Sequence, residues 1–250
     1  MQIHTLKGYI QHIFLVREGD RLLLLDGCGR ADIPMVCQFI EHTLQLPLSA
    51  LKLIVVTHMH PDHAGGAHRL RALSGAQIAS HPKASAWYAG LSGRIAHAVD
   101  VALMYWVAKR LGKPRKNGWY SPILKPDLIL EDEQRLPGFS DWQVLYTPGH
   151  TDHDLSLRHV PGGEMYVADL LVQVKGQLRP PYPICHPNQY RRSLQRVAAL
   201  PVASLLMAHV PTRPMASIPF EQIISDAPVL PKNHWYATKD RLVRKLGWGR

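Results

Sequence analysis

Cysteine is scarce in this sequence, and Cys28, Cys37 and Cys185 are the only three in 250 residues. An odd and sparse set cannot form a disulfide framework, and it is typical of proteins in a reducing compartment. The chain also lacks any apolar run of the roughly 20 residues that a membrane-spanning helix needs. A secretory signal pattern is missing ahead of the first strand-like stretch, Ile10 to Val16. We therefore expect a soluble, cytoplasmic protein.

Acidic residues are few, since 19 Asp and Glu stand against 29 Lys and Arg, which gives a formal net charge of +10. The basic residues concentrate at Lys113 to Lys116, at Arg191 and Arg192, and in the tail from Lys232 to Arg250. Such an excess attracts anionic partners over a long range, although solvated basic surfaces are commoner than binding sites. The charge leaves an anionic substrate or a nucleic-acid partner open.

Repeats and low-complexity segments are absent, and the chain instead mixes short strand patterns with helical ones. Five runs have the pattern of buried strands that end on a polar residue: Arg21 to Asp26, Leu51 to Thr57, Trp142 to Thr147, Glu164 to Asp169 and Ala203 to His209. Helical spacing marks Ala31 to Leu44, Gly66 to Ser74 and Asn188 to Leu200. Pro161, Gly162 and Gly163 predict a hairpin turn. The mixture predicts an α/β fold, a sandwich with sheets inside and helices outside.

The segment Ile95 to Arg110 has helical spacing but is apolar on more than one face. Such a helix must be covered, and packing in the core, a lid over a substrate pocket and a dimer contact all satisfy this requirement. We predict a helical insertion over about residues 86–120 in a single domain spanning 1–250, with a C-terminal extension over about 211–250. Five aromatic residues of the insertion would offer an apolar wall to a substrate: Trp87, Tyr88, Tyr105, Trp106 and Trp119.

The most informative motif is THMHPDHAGG, which follows a buried strand and places four ligand-type side chains within six residues. These side chains are His58, His60, Asp62 and His63. Imidazole nitrogens and carboxylates are donors that borderline divalent metals such as zinc accept. A lone histidine is usually structural, but a cluster this tight at a strand end is not readily explained by packing. The motif therefore predicts a metal site.

Three further strands end on residues of the same kind. His150 lies in TPGHTDHD, Asp169 closes EMYVAD, and His209 follows LLMA. Singly, each is explained as well by an ordinary polar strand end. Together with the first motif they predict that loops from four strand ends converge on one site, where His150, Asp169 and His209 join the earlier cluster.

This succession of motifs, HxHxDH, TPGHT, a strand-closing aspartate and a late histidine, resembles the metallo-β-lactamase superfamily over roughly Ile10 to His209. The resemblance implies an αββα sandwich and two bound metal ions. It implies that one ion is held by His58, His60 and His150, that the other is held by Asp62, His63 and His209, and that Asp169 bridges both. Zinc is the expected metal, and iron and manganese accept the same donors.

The resemblance also assigns a supporting role to Asp26 of LLLLDGCGR, which matches the early aspartate of the family and would orient a ligand histidine. Gly27 and Gly29 would let the chain turn tightly beside it. The sequence departs from common family patterns at His153 and Asp154, which would either tune His150 or form an ordinary polar loop. Ala168 and Ala208 replace frequent glycines, which puts the surroundings of the ligands in doubt but not the ligands themselves.

The function that the resemblance implies is hydrolysis of a small ester, thioester, lactone or amide by a hydroxide formed between two metals. Asp62 would orient this nucleophile. A nuclease or phosphodiesterase is the alternative, because TPGHTDHD is similar to a motif of family members that cut single-stranded RNA and the positive charge suits phosphates. A metal-binding protein without turnover is the third hypothesis.

Overall fold

The computed structural model describes residues 1–232. In it, the N-terminal half of the chain forms the first sheet. Its six strands follow one another in sequence order: β1 (Gln2–Lys7), β2 (His12–Glu18), β3 (Arg21–Leu24), β4 (Leu51–Val56), β5 (Gln77–Ser80) and β6 (Leu128–Ile129). The first three strands are antiparallel, and β3 to β6 are parallel. Strand β4 is buried along nearly its whole length, which explains its continuous apolar sequence.

The second sheet is formed by the C-terminal half of the chain. In chain order its strands are β7 (Arg135–Leu136), β8 (Phe139–Tyr146), β9 (Leu155–His159), β10 (Glu164–Tyr166), β13 (Ser204–Leu206) and β14 (Arg213–Pro214), with a separate hairpin of β11 (Val172–Val174) and β12 (Gln177–Arg179). Strands β10 and β13 are parallel, whereas the other neighbouring strands of this sheet pair in antiparallel fashion. The turn predicted at Pro161, Gly162 and Gly163 joins β9 to β10, so the hairpin prediction is confirmed.

Helices lie on the outer faces of the sheets and at the edge that carries the candidate site. They are α1 (Ile33–Gln38), α2 (Pro61–Ala64), α3 (Ala67–Ser74), α4 (Gly90–Arg110), α5 (Pro187–Ala198) and α6 (Phe220–Asp226). None of the helices in the described part of the chain is long and apolar enough to cross a membrane. The basic tail noted in the sequence lies outside the described residues from residue 233 onward, as does the last part of the expected C-terminal extension.

The molecule has four layers, with helices, two sheets and helices in turn. These layers form because successive side chains of a strand point to opposite faces of its sheet. Leu23 and Leu25 point into the core between the sheets, where they meet Trp142 of the second sheet. Leu22 and Leu24 belong instead to the core beneath α1 and α3. A third core lies between the second sheet and helices α5 and α6. The period-2 pattern of each strand therefore builds the predicted αββα sandwich, and the fold prediction is confirmed.

The structure differs from the sequence-based boundaries in local detail. Strand β1 was not predicted, because its sequence QIHTLK is polar and most of its residues stay partly or fully exposed at the sheet edge. The predicted helix from Ala31 to Leu44 begins only at Ile33 and continues through a π-helical stretch, Phe39–Thr43. Predicted strands end one to three residues early, because their last residues leave the ladder to enter the loops that carry polar side chains.

Candidate metal centre

Four strand ends deliver the predicted ligands to one edge of the sandwich. Strand β4 leads into the loop and single-turn helix α2 that carry His58 to His63. His150 follows β8, Asp169 follows β10 and His209 follows β13. All seven predicted residues are thereby brought together, and their donor atoms fall into two groups whose members lie within 4.8 Å of one another.

Two glycines allow the loops to approach this closely. A Cβ atom at Gly27 would lie 2.6 Å from the carbonyl oxygen of His63, closer than real side chains approach. A Cβ atom at Gly149 would lie 2.3 Å from the Cα of Tyr190, and the φ of Gly149 is 148°, which other residues rarely adopt. The turn before His150 therefore packs directly against α5 only because it contains glycine.

The first group of donors consists of three imidazoles and one carboxylate. His58 Nε2 lies 3.2 Å from His60 Nδ1, and His150 Nε2 lies 2.9 Å from the same atom. The Oδ2 atom of Asp169 lies 3.5 Å from His150 Nε2 and 3.9 Å from His58 Nε2. All four side chains are buried or nearly so, and their donors converge on one point.

The second group lies on the other side of Asp169. The Oδ1 atom of Asp169 is 3.3 Å from His63 Nε2 and 3.2 Å from His209 Nε2. Asp62 Oδ2 is 3.2 Å from His209 Nε2 and 3.5 Å from His63 Nε2. Asp169 therefore directs one oxygen toward each group of donors.

Hydrogen bonds behind the rings aim the donor nitrogens inward. His150 Nδ1–H donates to the carbonyl oxygen of Pro183 at 2.6 Å, and His209 Nδ1–H donates to that of Ile10 at 3.1 Å. With a proton held on Nδ1, Nε2 is the ring atom that faces the centre and would bind a metal ion there. The loops thus fix the tautomer as well as the position of these rings.

Asp26 orients two further rings from beneath. Its Oδ2 atom accepts hydrogen bonds from His63 Nδ1–H at 2.7 Å, from Thr57 Oγ1–H at 2.6 Å and from the Tyr166 hydroxyl at 3.0 Å. Because the Thr57 hydroxyl donates to Asp26, it can accept the Nδ1–H of His58 at 3.1 Å. The Asp26 carboxylate therefore reaches both groups through His63 and His58.

The electrostatics of the donors fit a bound cation. Burial, reinforced by the neighbouring rings, lowers the pKa of His58 and of His60 well below the usual value, so both offer neutral nitrogens near pH 7. Burial opposes a charge on His209, but the carboxylates of Asp169 and Asp62 outweigh it and raise the pKa of His209 to about 10. The chain alone thus balances its carboxylates with a ring proton, and a metal cation would replace that proton.

Two buried atoms support the same fit. His63 Nε2 and Asp169 Oδ1 approach to 3.3 Å without hydrogen-bond geometry, and neither has a hydrogen-bond partner within residues 1–232. Buried polar atoms without a partner are rare because they are costly. A divalent cation between the nitrogen and the oxygen would satisfy both, and this N and O donor set suits zinc, iron or manganese.

The unusual residues after His150 shape its loop. Asp154 accepts hydrogen bonds from the backbone N–H groups of Gly149 and Thr151, at 3.0 and 2.7 Å, and from the Thr151 hydroxyl at 2.5 Å. The backbone N–H of Met59 donates to His153 Nε2 at 3.1 Å. These contacts tie the His150 loop to the first motif, which favours a structural role for both residues.

Sequence reasoning missed Asp100 of the inserted segment and named Tyr88 only as an apolar wall residue. Asp100 of α4 places Oδ2 at 3.8 Å from His60 Nε2, and the Tyr88 hydroxyl donates to the same oxygen at 2.7 Å. No motif surrounds either residue, and their sequence distance from His60 gives no signal. Their relation to the centre depends on where α4 packs, which a single sequence does not reveal.

A cavity of about 410 Å³ opens beside the centre and contains His60, Asp62, Asp169 and His209 in its wall. Its other lining residues are mainly apolar and come from α4, the β11–β12 hairpin and nearby loops: Ile10, Leu103, Met104, Val107, Leu111, Val172, Val174, Tyr182 and Pro183. The expectation that the aromatic residues of the insertion form the wall is wrong. Trp106 and Trp119 are more than half exposed, and Trp87 packs against His153.

These features together define a class of protein, the αββα sandwiches with a candidate metal site at one edge. They are the two packed sheets, the outer helices and the cluster of His and Asp side chains near the strand ends. The sequence model of the metallo-β-lactamase superfamily matches residues 6–209. The chain therefore belongs to this superfamily, whose members are mostly metal-dependent hydrolases.

Solved structures show the same fold at low sequence identity. A metallo-β-lactamase family protein from Thermus thermophilus is 21% identical, with a TM-score of 0.66 over 89% of this chain and 77% of that chain. An archaeal superfamily protein from Sulfolobus tokodaii is 17% identical, with a TM-score of 0.65 over 89% and 84%. A protein solved in a di-iron-bound form is 22% identical, with a TM-score of 0.60 over 88% and 100%.

Proposed function

We propose that this chain is a hydrolase that depends on two divalent metal ions. His58, His60 and His150 would hold one ion, and Asp62, His63 and His209 would hold the other. Asp169 would bridge them, and the observation that carries the proposal is the direction of its two oxygens, one toward each group of donors. Zinc is the proposed metal, while the di-iron form of one structural relative supports testing iron as well.

The residues around the centre suit hydrolysis at the cavity wall. Two ions bound there would supply Lewis acidity and a water of lowered pKa. Asp62 belongs to the second group of donors and also lines the cavity. Its carboxylate can therefore accept a hydrogen bond from the attacking water and orient it. Asp26 and the carbonyl oxygen of Pro183 would keep His63 and His150 in the correct tautomer while charge develops.

The cavity favours a small substrate with an apolar acyl group, such as an ester, thioester, lactone or amide. Its walls are mainly aliphatic, and their charged residues are the carboxylates Asp62, Asp100 and Asp169. Among the described residues no lysine or arginine lines it. Apart from the proposed metal ions, a polyanion would find no cationic side chain of residues 1–232 in this cavity to pair with its other charges. The nuclease or phosphodiesterase alternative therefore rests on the net charge of +10 and not on this cavity.

Metal analysis and activity profiling on one sample test the proposal. The purified chain, loaded with zinc or iron, should contain two ions and cleave members of an ester, thioester, lactone and amide panel. His209→Ala should retain the ion held by the first group, whereas Asp169→Ala should lose occupancy at both positions. Asp141→Asn changes an exposed carboxylate of β8 and is the matched control.

Three results would contradict parts of the proposal. One ion or fewer in the fully loaded chain would exclude the dinuclear centre. Cleavage of phosphodiesters alone would favour the nuclease alternative. Two bound ions without cleavage of any ester, thioester, lactone, amide or phosphodiester would favour a metal-binding protein without turnover.

A further inference from the structure

Helix α4 has three distinct faces, because successive residues advance by about 100° around a helix. Gly93, His97, Val101, Met104 and Ala108 are buried on one face. Asp100, Leu103, Met104, Val107 and Leu111 face the cavity beside the metal centre. The third face consists of Leu91, Ile95, Ala102 and Trp106, hereafter the α4 stripe, and it is exposed.

The α4 stripe is unusually apolar for a surface. Leu91 is 80% exposed, and Ile95 and Trp106 are each 54% exposed. On a helical projection these side chains fall within about 60° of one another, so they form a continuous band along the helix. A band of large apolar side chains on the surface commonly marks an interaction site.

The same segment carries a dense positive charge. Residues 90–119 contain six basic side chains and one acidic one, so a net charge of +5, half of the total, falls in this short stretch. The basic residues are Arg94, Lys109, Arg110, Lys113, Arg115 and Lys116. None of the six forms an ion pair within residues 1–232.

Basic residues lie both on the α4 stripe and beside it, because on the helical projection the exposed Lys109 falls at the same angle as Leu91. On the helical projection Arg94 and Arg110 flank the apolar band on its two sides. The guanidinium of Arg110 lies 4.8 Å from the centre of the Trp106 ring. The single acidic residue, Asp100, belongs to the cavity face on the far side of the helix. The exposed face of α4 is therefore both apolar and cationic.

Charge decides which partner fits this face. A second copy of the chain would bring two segments of +5 together, and like charges in contact are costly. A nucleic acid would match the charge, but Leu91 and Ile95 are aliphatic, which leaves Trp106 as the one aromatic side chain of the stripe for base stacking. The surface of an anionic phospholipid membrane matches both features, because its headgroups attract basic residues and its acyl boundary accepts aliphatic and Trp side chains.

We propose that the α4 stripe and its flanking basic residues dock the protein onto anionic phospholipid surfaces. Only the exposed face of α4 would lie against the interface, while its other two faces stay packed on the core and on the cavity. This docking does not require the metal centre, so it can be tested independently of the proposed hydrolase function. If that function also holds, membrane-dissolved acyl compounds would be concentrated next to the cavity that α4 lines.

Vesicle sedimentation with the full chain tests the proposal. The chain should bind phosphatidylcholine vesicles that contain phosphatidylglycerol and should not bind phosphatidylcholine alone. Removing two basic groups in Lys109→Gln/Arg110→Gln should weaken binding on the order of 30-fold, at about 1 kcal/mol for each charge near the surface. Removing the apolar contact in Ile95→Ser/Trp106→Ser should weaken binding at least about 10-fold.

Matched controls separate the α4 stripe from general effects of charge and exposure. Lys52→Gln removes an exposed basic group at the start of β4, and Ile129→Ser removes an apolar side chain that is 49% exposed on β6. Both should bind anionic vesicles as the parent chain does. Melting curves check that each variant is folded, and the Lys109→Gln/Arg110→Gln variant keeps the test valid if the apolar variant unfolds.

Several results would overturn the proposal. Anionic vesicle binding that both α4 variants retain would place the contact elsewhere in the chain. Absence of binding at low salt would exclude a membrane partner. Self-association in sedimentation velocity that Ile95→Ser/Trp106→Ser abolishes would assign the stripe to a second copy. Binding of oligouridylate in place of vesicles, with the same sensitivity to the α4 variants, would assign it to nucleic acid.

Discussion

At the scale of the residue, Asp26 orients two histidines of the candidate metal centre although it does not line the cavity. It contacts no substrate space, yet its carboxylate holds His63 directly and His58 through the Thr57 hydroxyl. A carboxylate behind an imidazole fixes the ring and increases the basicity of the nitrogen on its far side. A change at Asp26 should therefore lower the metal affinity of both groups of donors.

Replacing this carboxylate gives the first prediction. Asp26→Asn removes the charge but preserves the shape, and we expect metal affinity to fall by about 10- to 100-fold. Competition with a chromogenic chelator measures the affinity of each site. Asp141→Asn serves again as the exposed control. Unchanged affinity in Asp26→Asn would mean that packing alone orients His63 and His58.

The residues of the proposed metal centre could be picked out from the sequence because each belongs to a short motif near a strand end. His58 to His63 lie in one loop and the short helix α2, and His150, Asp169 and His209 follow shortly after strands with clear apolar patterns. Asp100 and Tyr88 could not be predicted in this way. Their contact with each other and with His60 arises from the packing of α4, over a separation that no local pattern encodes.

At the scale of the element, α4 decides the shape of the cavity. The sequence indicated that this helix is apolar on more than one face but not which face meets the centre. The sequence predicts an apolar wall formed by the aromatic residues of the insertion, whereas the aliphatic face with Leu103 and Val107 lines the cavity. Trp106 instead lies on the exposed stripe on another side of the helix.

The orientation of α4 gives the second prediction. Leu103→Ala/Val107→Ala should raise KM about 10-fold for long acyl substrates and much less for short ones, because apolar contact with the acyl chain is lost. Trp106→Ala is the matched control on the same helix and should leave the chain-length series unchanged with soluble substrates. Kinetics across the series, with metal content measured in parallel, checks both. A uniform loss over all lengths would show that the helix acts only through stability.

At the scale of the whole molecule, the centre joins the two sheets. Asp26 and the His58 to His63 loop follow strands of the first sheet, whereas His150, Asp169 and His209 follow strands of the second. Bound ions would therefore bridge the two halves of the sandwich and stabilise the folded state by mass action.

Metal removal gives the third prediction. Stripping the chain with a chelator should lower its Tm, and returning the metal at about 1,000 times its Kd should restore about 4 kcal/mol for each site. Scanning calorimetry with and without metal measures the difference. Asp169→Ala should show little response to added metal. A parent chain that melts at the same temperature in both states would contradict a bridge between the sheets.

The division of the chain into two consecutive sheets also orders events during synthesis. Residues up to Ile129 complete the first sheet, and this half contains His58, His60, Asp62 and His63 but no donor from the second sheet. The centre is complete only when His209 has left the ribosome. A nascent chain would carry only part of the donor set while the second sheet is being made, so the proposed centre would take up both ions only after the second sheet has folded.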